Sequence, residues 1–319
     1  MAHRTGRPNV WPMIQTQPVS SPRLPRSLSA ADVTARLAAR PDRMLDVGHA
    51  KLAHYVFGRG PDVVLVHGWP LHAATWRNVV PLLANDFTLH LLDLPGTGQS
   101  EWSERSRIDV ASHAESVRSA VDQLGLSRFA YVAHDSGAAI TRLAADGDPR
   151  VFAHVMGNTE IPGHVPWQLA LFVAVARRPR LRARVFSMMR HDLVRRSPLG
   201  FGGCFTDSRY VNGDFGALFV DPLIDGGRAA VGQSQLLLGL DHHVLARVEE
   251  THARTTAPSL LIWGPDDPFF PLAKARVMAK RFRAGATLVE IPRAKLFAHE
   301  DHADAFADHA RAFLSRAAQ

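Results

Sequence analysis

At 319 residues with 46% hydrophobic content, the chain can bury a substantial core as one large α/β domain or two ordinary ones, which excludes wholesale disorder. Cys204 is the single cysteine, so an internal disulfide is excluded and cytoplasmic residence is the expectation. The net charge of +7 comes with no recognised nucleic-acid motif, and no nucleic-acid partner is expected.

Residues 1–43 are expected to form a flexible, basic, proline-rich segment carrying Pro8, Pro12, Pro18, Pro22 and Pro25, without an apolar run of signal-peptide type. The stretch 44–57 alternates loosely around Gly48 and predicts an opening hairpin, and 63–66 (Val-Val-Leu-Val) predicts a buried strand. A helix over 73–84 and a strand over 87–92 follow, the latter ending in the turn-rich segment 93–98. Val110, Ala114, Val117, Val121 and Leu124 give the next helix its buried stripe, ahead of strands over 129–133 and 151–157. From 161 to 254 the alternation stops, and the segment reads as a helical insertion. It resumes with a strand at 259–263, a helix near 272–282, a strand at 287–291 and a closing helix. Alternating strands and helices predict a mostly parallel sheet covered on both faces, with the core formed by 44–160 and 255–319 and the insertion 161–254 as a cap. The longest apolar stretch, 169–176, is far short of the roughly 20 residues that span a bilayer, so no membrane insertion is expected. Within the insertion, 177–196 holds eight arginines against one acid, Asp192, with Leu181, Val185, Met188 and Leu193 near helical spacing. An amphipathic helix with a cationic outer face is expected there, either simply solvated or facing an anionic substrate or membrane surface.

The chemistry-bearing junction is 131–137, Tyr-Val-Ala-His-Asp-Ser-Gly, a strand running into a helix through a sharp turn. Such a turn brings backbone close to its neighbours, so the residues two before and two after its tip must be small. With Asp135 at the tip these are Ala133 and Gly137; with Ser136 they are His134 and Ala138, and the histidine is too bulky. Asp135 is therefore the expected nucleophile, the plain alternative being a helix N-cap. Together with the His67-Gly68-Trp69-Pro70 loop and Trp76-Arg77-Asn78, this elbow resembles the epoxide hydrolase and haloalkane dehalogenase branch of the α/β-hydrolase fold family, over about 46–157 and 259–313. A carboxylate already ionised at neutral pH can attack an sp³ carbon bearing a halide or an epoxide oxygen, leaving an alkyl ester on Asp135. The resemblance implies an oxyanion hole from the backbone N–H groups of Trp69 and Ser136.

The resemblance further implies a catalytic acid in the loop 264–268, where Asp267 fits better than Asp266, or alternatively Glu160 after the preceding strand. It implies a histidine after the last strand, yet register puts Leu296 there. His299, three residues on, is the candidate base if the turn is rearranged. His67 and His134 occupy positions usually structural in this branch, His242 and His243 have no evident partner, and His299 with His302 lacks a third ligand, so no metal and no cofactor are expected. For the leaving group the candidates are Trp69 and Tyr210, the latter the one tyrosine of the insertion. The expected activity is hydrolysis of a small apolar epoxide, haloalkane or related substrate through the Asp135 ester. The alternative is a catalytically impaired member that binds a small ligand, because of Leu296.

Overall fold

The computed structural model describes residues 28–198, 200–240 and 242–319, with backbone only at 242 and 245. Its centre is an eight-stranded sheet in the order β1-β2-β4-β3-β5-β6-β7-β8. The strands are β1 (Arg43–Asp46), β2 (Lys51–Gly58), β3 (Asp62–Val66), β4 (Thr88–Leu92), β5 (Phe129–Ala133), β6 (Val151–Gly157), β7 (Ser259–Trp263) and β8 (Ala286–Glu290). β2 pairs antiparallel with β1 and β4, and every other neighbour is parallel. The sequence explains the difference: β3 after Asp62 and all of β5 are apolar or aromatic and buried, as strands covered on both faces must be. β1 is a short edge strand with only Leu45 buried.

The helices are α1 (Ala30–Ala38), α2 (Val80–Leu83), α3 (Val110–Leu124), α4 (Ser136–Ala144), α5 (Trp167–Ala176), α6 (Pro179–Met188), α7 (Asp192–Arg196), α8 (Asp221–Asp225), α9 (Gly227–Leu238), α10 (His242–Arg254), α11 (Leu272–Ala279), α12 (Ala298–Asp301) and α13 (Ala303–Ala318). The expected buried stripe of α3 is present through Val110, Ala114, Val117 and Val121, opened by an Asp109 N-cap on Ser112 and closed by Gly125 in the left-handed region. α3, α4 and α10 pack together, while α1 and α13 pack on α2.

Three expectations need correction. Residues 1–27 of the expected flexible tail lie outside the described residues, but Ser29 and Asp32 form a capping box and α1 buries Val33 and Leu37. The helix expected over 73–84 is two short pieces, a 3₁₀ turn at Ala73–Trp76 and α2, because Pro81 starts a new helix rather than continuing one. The interval 161–254 is helical as expected, but its last helix, α10, packs on α4 and ties Arg254 to Asp146 at 2.6 Å, so it belongs with the layers around the sheet.

The turn between β5 and α4 is held from below by close backbone approach. A Cβ added at Gly137 would lie 2.4 Å from the His67 carbonyl oxygen, and one at Gly68 would lie 2.6 Å from Asp135 Cβ. Gly137→Ala should therefore destabilise the protein by at least about 3 kcal/mol, a size reserved for strain that the surroundings cannot relax. Denaturant unfolding of the variant against wild type measures it.

Candidate active site

Asp135 stands at the tip of the turn with φ of 51° and ψ of −136°, a positive φ that non-glycine residues rarely adopt. Its side chain makes no capping bond to α4, so the helix-cap explanation does not account for it. The Trp69 backbone N–H donates to Asp135 Oδ2 at 3.0 Å and lies equally close to Ser136 Oγ, and the Ser136 backbone N–H favours the charged carboxylate electrostatically. Thr159 Oγ1 lies 3.0 Å from the Asp135 carbonyl oxygen, and the Asp135 N–H donates to the Asn158 carbonyl at 2.8 Å.

The carboxylate faces a cavity of about 290 Å³ whose walls are almost entirely apolar. Trp69, Phe172, Phe201, Phe269, Leu296 and Phe297 are among its lining residues, and Glu160 shares it with Asp135. Removal from water pushes the Asp135 carboxyl well above the usual range, the neighbouring Glu160 charge adds to this, and the Ser136 and Trp69 N–H groups oppose it. Glu160 is raised too, first by burial, with the Arg142 cation pulling the other way. Arg142, fully buried on α4, donates through Nη2 to Thr159 Oγ1 at 2.8 Å and to the Glu160 carbonyl at 2.9 Å. Thr159 Oγ1 lies 2.9 Å from Glu160 Oε2, so one short polar chain ties the Glu160 carboxylate and the Asp135 main-chain carbonyl to one guanidinium.

Asp267 is buried in the loop after β7, where Asn158 Nδ2 donates to Oδ2 at 2.6 Å and the Phe269 N–H to Oδ1 at 2.7 Å. Asp266 takes no part in this bonding. Burial raises Asp267 to about 7 despite these donors. Among the described residues no imidazole bonds it. Leu296 occupies the wall of the cavity, its carbonyl held by the His134 ring nitrogen at 2.8 Å.

His299 is bonded elsewhere. Its Nε2 meets Thr75 Oγ1 at 2.7 Å, its ring packs on Trp76 and His134 with centroids 4.8 and 4.2 Å away, and it is not among the residues that line the cavity. The reason is its neighbour: Glu300 is locked to Arg77 at 2.9 Å and to Thr75 Oγ1 at 2.7 Å, all fully buried. The rearranged turn would have to break that buried ion pair, which costs several kcal/mol. Both leaving-group candidates are also engaged elsewhere. The Trp69 indole lines the cavity but donates to the Gln233 carbonyl at 3.0 Å, and the Tyr210 hydroxyl donates to the Glu300 carbonyl at 2.9 Å. His67 and His134 are structural, buried and held neutral, lowered by burial to about 4 and about 3. His243 is exposed, and the side chain of His242 lies outside the described residues. His302 bonds Thr206 Oγ1 at 2.7 Å.

Sequence reasoning missed Arg142, Asn158, Thr159 and Cys204. A polar run, Asn158-Thr159-Glu160, directly after an apolar strand, and a lone arginine within the otherwise small and apolar α4, were the available signals. Cys204 lines the cavity, and burial pushes its thiol well above the usual range.

A strained strand-to-helix turn presenting an acid, N–H donors from the loop after β3, and a second acid after β7 define a hydrolase site on a mostly parallel sheet. The family model described as the alpha/beta hydrolase fold matches residues 61–303, and the chain belongs to that family. Haloalkane dehalogenase 2 of Mycobacterium bovis is 27% identical over 271 residues, covering 83% of this chain and 92% of that one. Soluble epoxide hydrolase of a Corynebacterium species is 41% identical over 88 residues, 27% of this chain and 30% of its own length. The solved structure of the epoxide hydrolase CorEH without ligand superposes with a TM-score of 0.72 at 21% identity, over 86% of this chain and 98% of that one, a likeness of fold.

A buried acid raised to about 7 ties stability to pH. Between the unfolded value near 3.8 and about 7, the folded chain holds a proton on Asp267 that the unfolded chain has released, so stability falls as pH rises through that window. Asp267→Asn removes the effect. Relative to that variant, wild type should lose up to about 1.4 kcal/mol per pH unit between pH ~4 and ~7 and nothing more above it, measured as unfolding free energy across the series.

Proposed function

We propose that the protein hydrolyses an apolar epoxide through an ester on Asp135, with Glu160 taking the part that the sequence resemblance implies for a histidine. The observation that carries this reading is two carboxyl groups, Asp135 and Glu160, sharing one apolar cavity whose wall at the histidine position is Leu296. Two carboxyls buried in one apolar cavity, the charge of one raising the other, resist double ionisation, so the pair retains one proton. With that proton on Glu160, an Asp135 oxygen attacks an epoxide carbon, the carbon–oxygen bond breaks, and Glu160 protonates the departing oxygen. Glu160, now a carboxylate, takes a proton from water as the hydroxide adds to the ester carbonyl, and the Trp69 and Ser136 N–H groups hold the oxyanion. Collapse expels the diol oxygen, which takes the remaining acid proton and leaves the Asp135 carboxylate. The sum is epoxide plus water giving diol. A haloalkane needs no proton to leave, so it fits the first step and leaves Glu160 protonated when water must be activated. The apolar lining, the family and the epoxide hydrolase relative support the reading.

A second reading has its own support. Leu296, with His299 turned to Thr75, fits a member that is alkylated once or merely holds its ligand. The two readings part on wild-type behaviour: the first expects steady turnover of an aliphatic epoxide, the second an ester that stays on Asp135.

Incubation with an epoxide followed by peptide mass analysis should place a transient adduct on Asp135, and Asp135→Ala should abolish both adduct and diol. An adduct on Ser136 or Cys204, or turnover surviving Asp135→Ala, overturns the assignment.

Glu160→Gln separates the steps. Diol formation should fall roughly 10²- to 10⁴-fold, the usual worth of general acid–base catalysis, while a reactive haloalkane still alkylates Asp135 and its ester accumulates. Undiminished diol formation in Glu160→Gln rules out the two-carboxyl mechanism.

A further inference from the structure

The helices that wall the cavity present an unusual outer face. α5 has no charged residue, and of its ten residues only Ala176 is buried. Trp167 is 66% exposed and Leu171 43%, and across α6 and α7 Leu181, Met188 and Leu193 are 40%, 52% and 84% exposed. Arginines are interleaved with them. Arg190, Arg195 and Arg196 reach Asp225, Asp221 and Asp192, whereas Arg177, Arg180 and Arg184 are exposed and form no ion pair among the described residues. Leu171, Arg182 and Met188 both reach solvent and line the cavity, so the cavity opens on this face.

We infer that α5–α7 dock on an anionic lipid bilayer, so that the cavity mouth opens against the lipid. Exposed indole and aliphatic side chains flanked by arginines are what an interfacial helix needs: apolar groups enter the acyl boundary while guanidinium groups meet phosphate. Charge decides the occupant. Eight arginines against one acid in 177–196 complement an anionic surface and would repel a second copy of the same face. An apolar substrate dissolved in the lipid would then reach Asp135 without crossing water. The docking itself does not depend on the chemistry proposed for Asp135.

The test is co-sedimentation of the full chain with phosphatidylcholine vesicles, with and without phosphatidylglycerol, at low and high salt. Binding is expected only to the anionic vesicles and should weaken steeply with salt, as screened surface charge requires. Arg180→Glu/Arg184→Glu should weaken it by roughly tenfold or more, and Leu181→Ser/Leu193→Ser should weaken it at unchanged net charge. A blue-shift of tryptophan emission on binding should vanish in Trp167→Phe. Asp135→Ala should bind as wild type does, which keeps this outcome separate from the catalytic one. Circular dichroism of each variant confirms the fold, and adduct formation with a dissolved haloalkane should be unchanged in Arg180→Glu/Arg184→Glu. The inference is overturned by absence of binding to anionic vesicles, by binding indifferent to these substitutions, or by equal binding to a soluble polyanion with no shift from Trp167, which would mark the face as a site for an acidic macromolecule.

Discussion

A carboxylate withdrawn from water is the constraint on which the rest of the site depends. Left alone in an apolar cavity, the charge on Asp135 would cost more than the fold can supply, and the group would simply hold its proton. Two backbone N–H groups offset part of that cost, those of Trp69 and Ser136. Bringing both near the carboxylate requires the loop after β3 and the start of α4 to approach Asp135 within contact distance. That approach explains the glycines at 68 and 137, where any Cβ would collide with the turn or with the chain beneath it, and it explains why Asp135 tolerates a positive φ. The strain, the glycines and the donors are one arrangement seen from three sides.

Asp267 keeps its donors from Asn158 and Phe269, but among the described residues no cation faces it, so burial leaves it a weak acid with a value of about 7. The segment after β8 cannot adjust, being pinned at both ends: His134 holds the Leu296 carbonyl, and Arg77 and Thr75 hold Glu300. His299 is carried into the core by its anchored neighbour. The charge that remains available to the cavity is therefore carboxylate, balanced from behind by Arg142.

The strands were legible because a sheet covered on both faces demands continuous apolar runs, and 63–66, 129–133 and 259–263 have nothing else to do. The elbow was legible for a similarly local reason, since the sizes of residues 133 and 137 decide which side chain can occupy the tip. The family resemblance to α/β hydrolases rests on those same segments. What sequence hid were pairings across long separations. Nothing near residue 299 announces that Thr75 and Arg77 will capture its neighbour, and nothing near Trp69 reveals that Gln233 will take its indole N–H. Pro81 splitting the expected helix, and the Ser29–Asp32 capping box beginning one within the supposed tail, were local signals, outweighed by the apolar spacing and the proline content around them. The end of the insertion was hidden because α10 looks like its neighbours in composition and differs only in what it packs on.

The apolar walls connect these features energetically. Burial is what chiefly raises every carboxyl of the site, so these groups stay weak acids only while the cavity stays dry. Phe172, Val185 and Met188 from α5 and α6 help keep it so. Helices that spend their inner faces on a dry cavity have no second core for their outer faces, and α5, uncharged along its whole length, turns apolar side chains to the surface as well. A contiguous exposed apolar patch of that kind marks an interaction surface. The chemistry inside the cavity and the character of the face outside it thus have a common origin in the composition of two short helices, and a substitution that made α5 comfortably polar on its inner side would wet the carboxyl pair and lower its affinity for the proton.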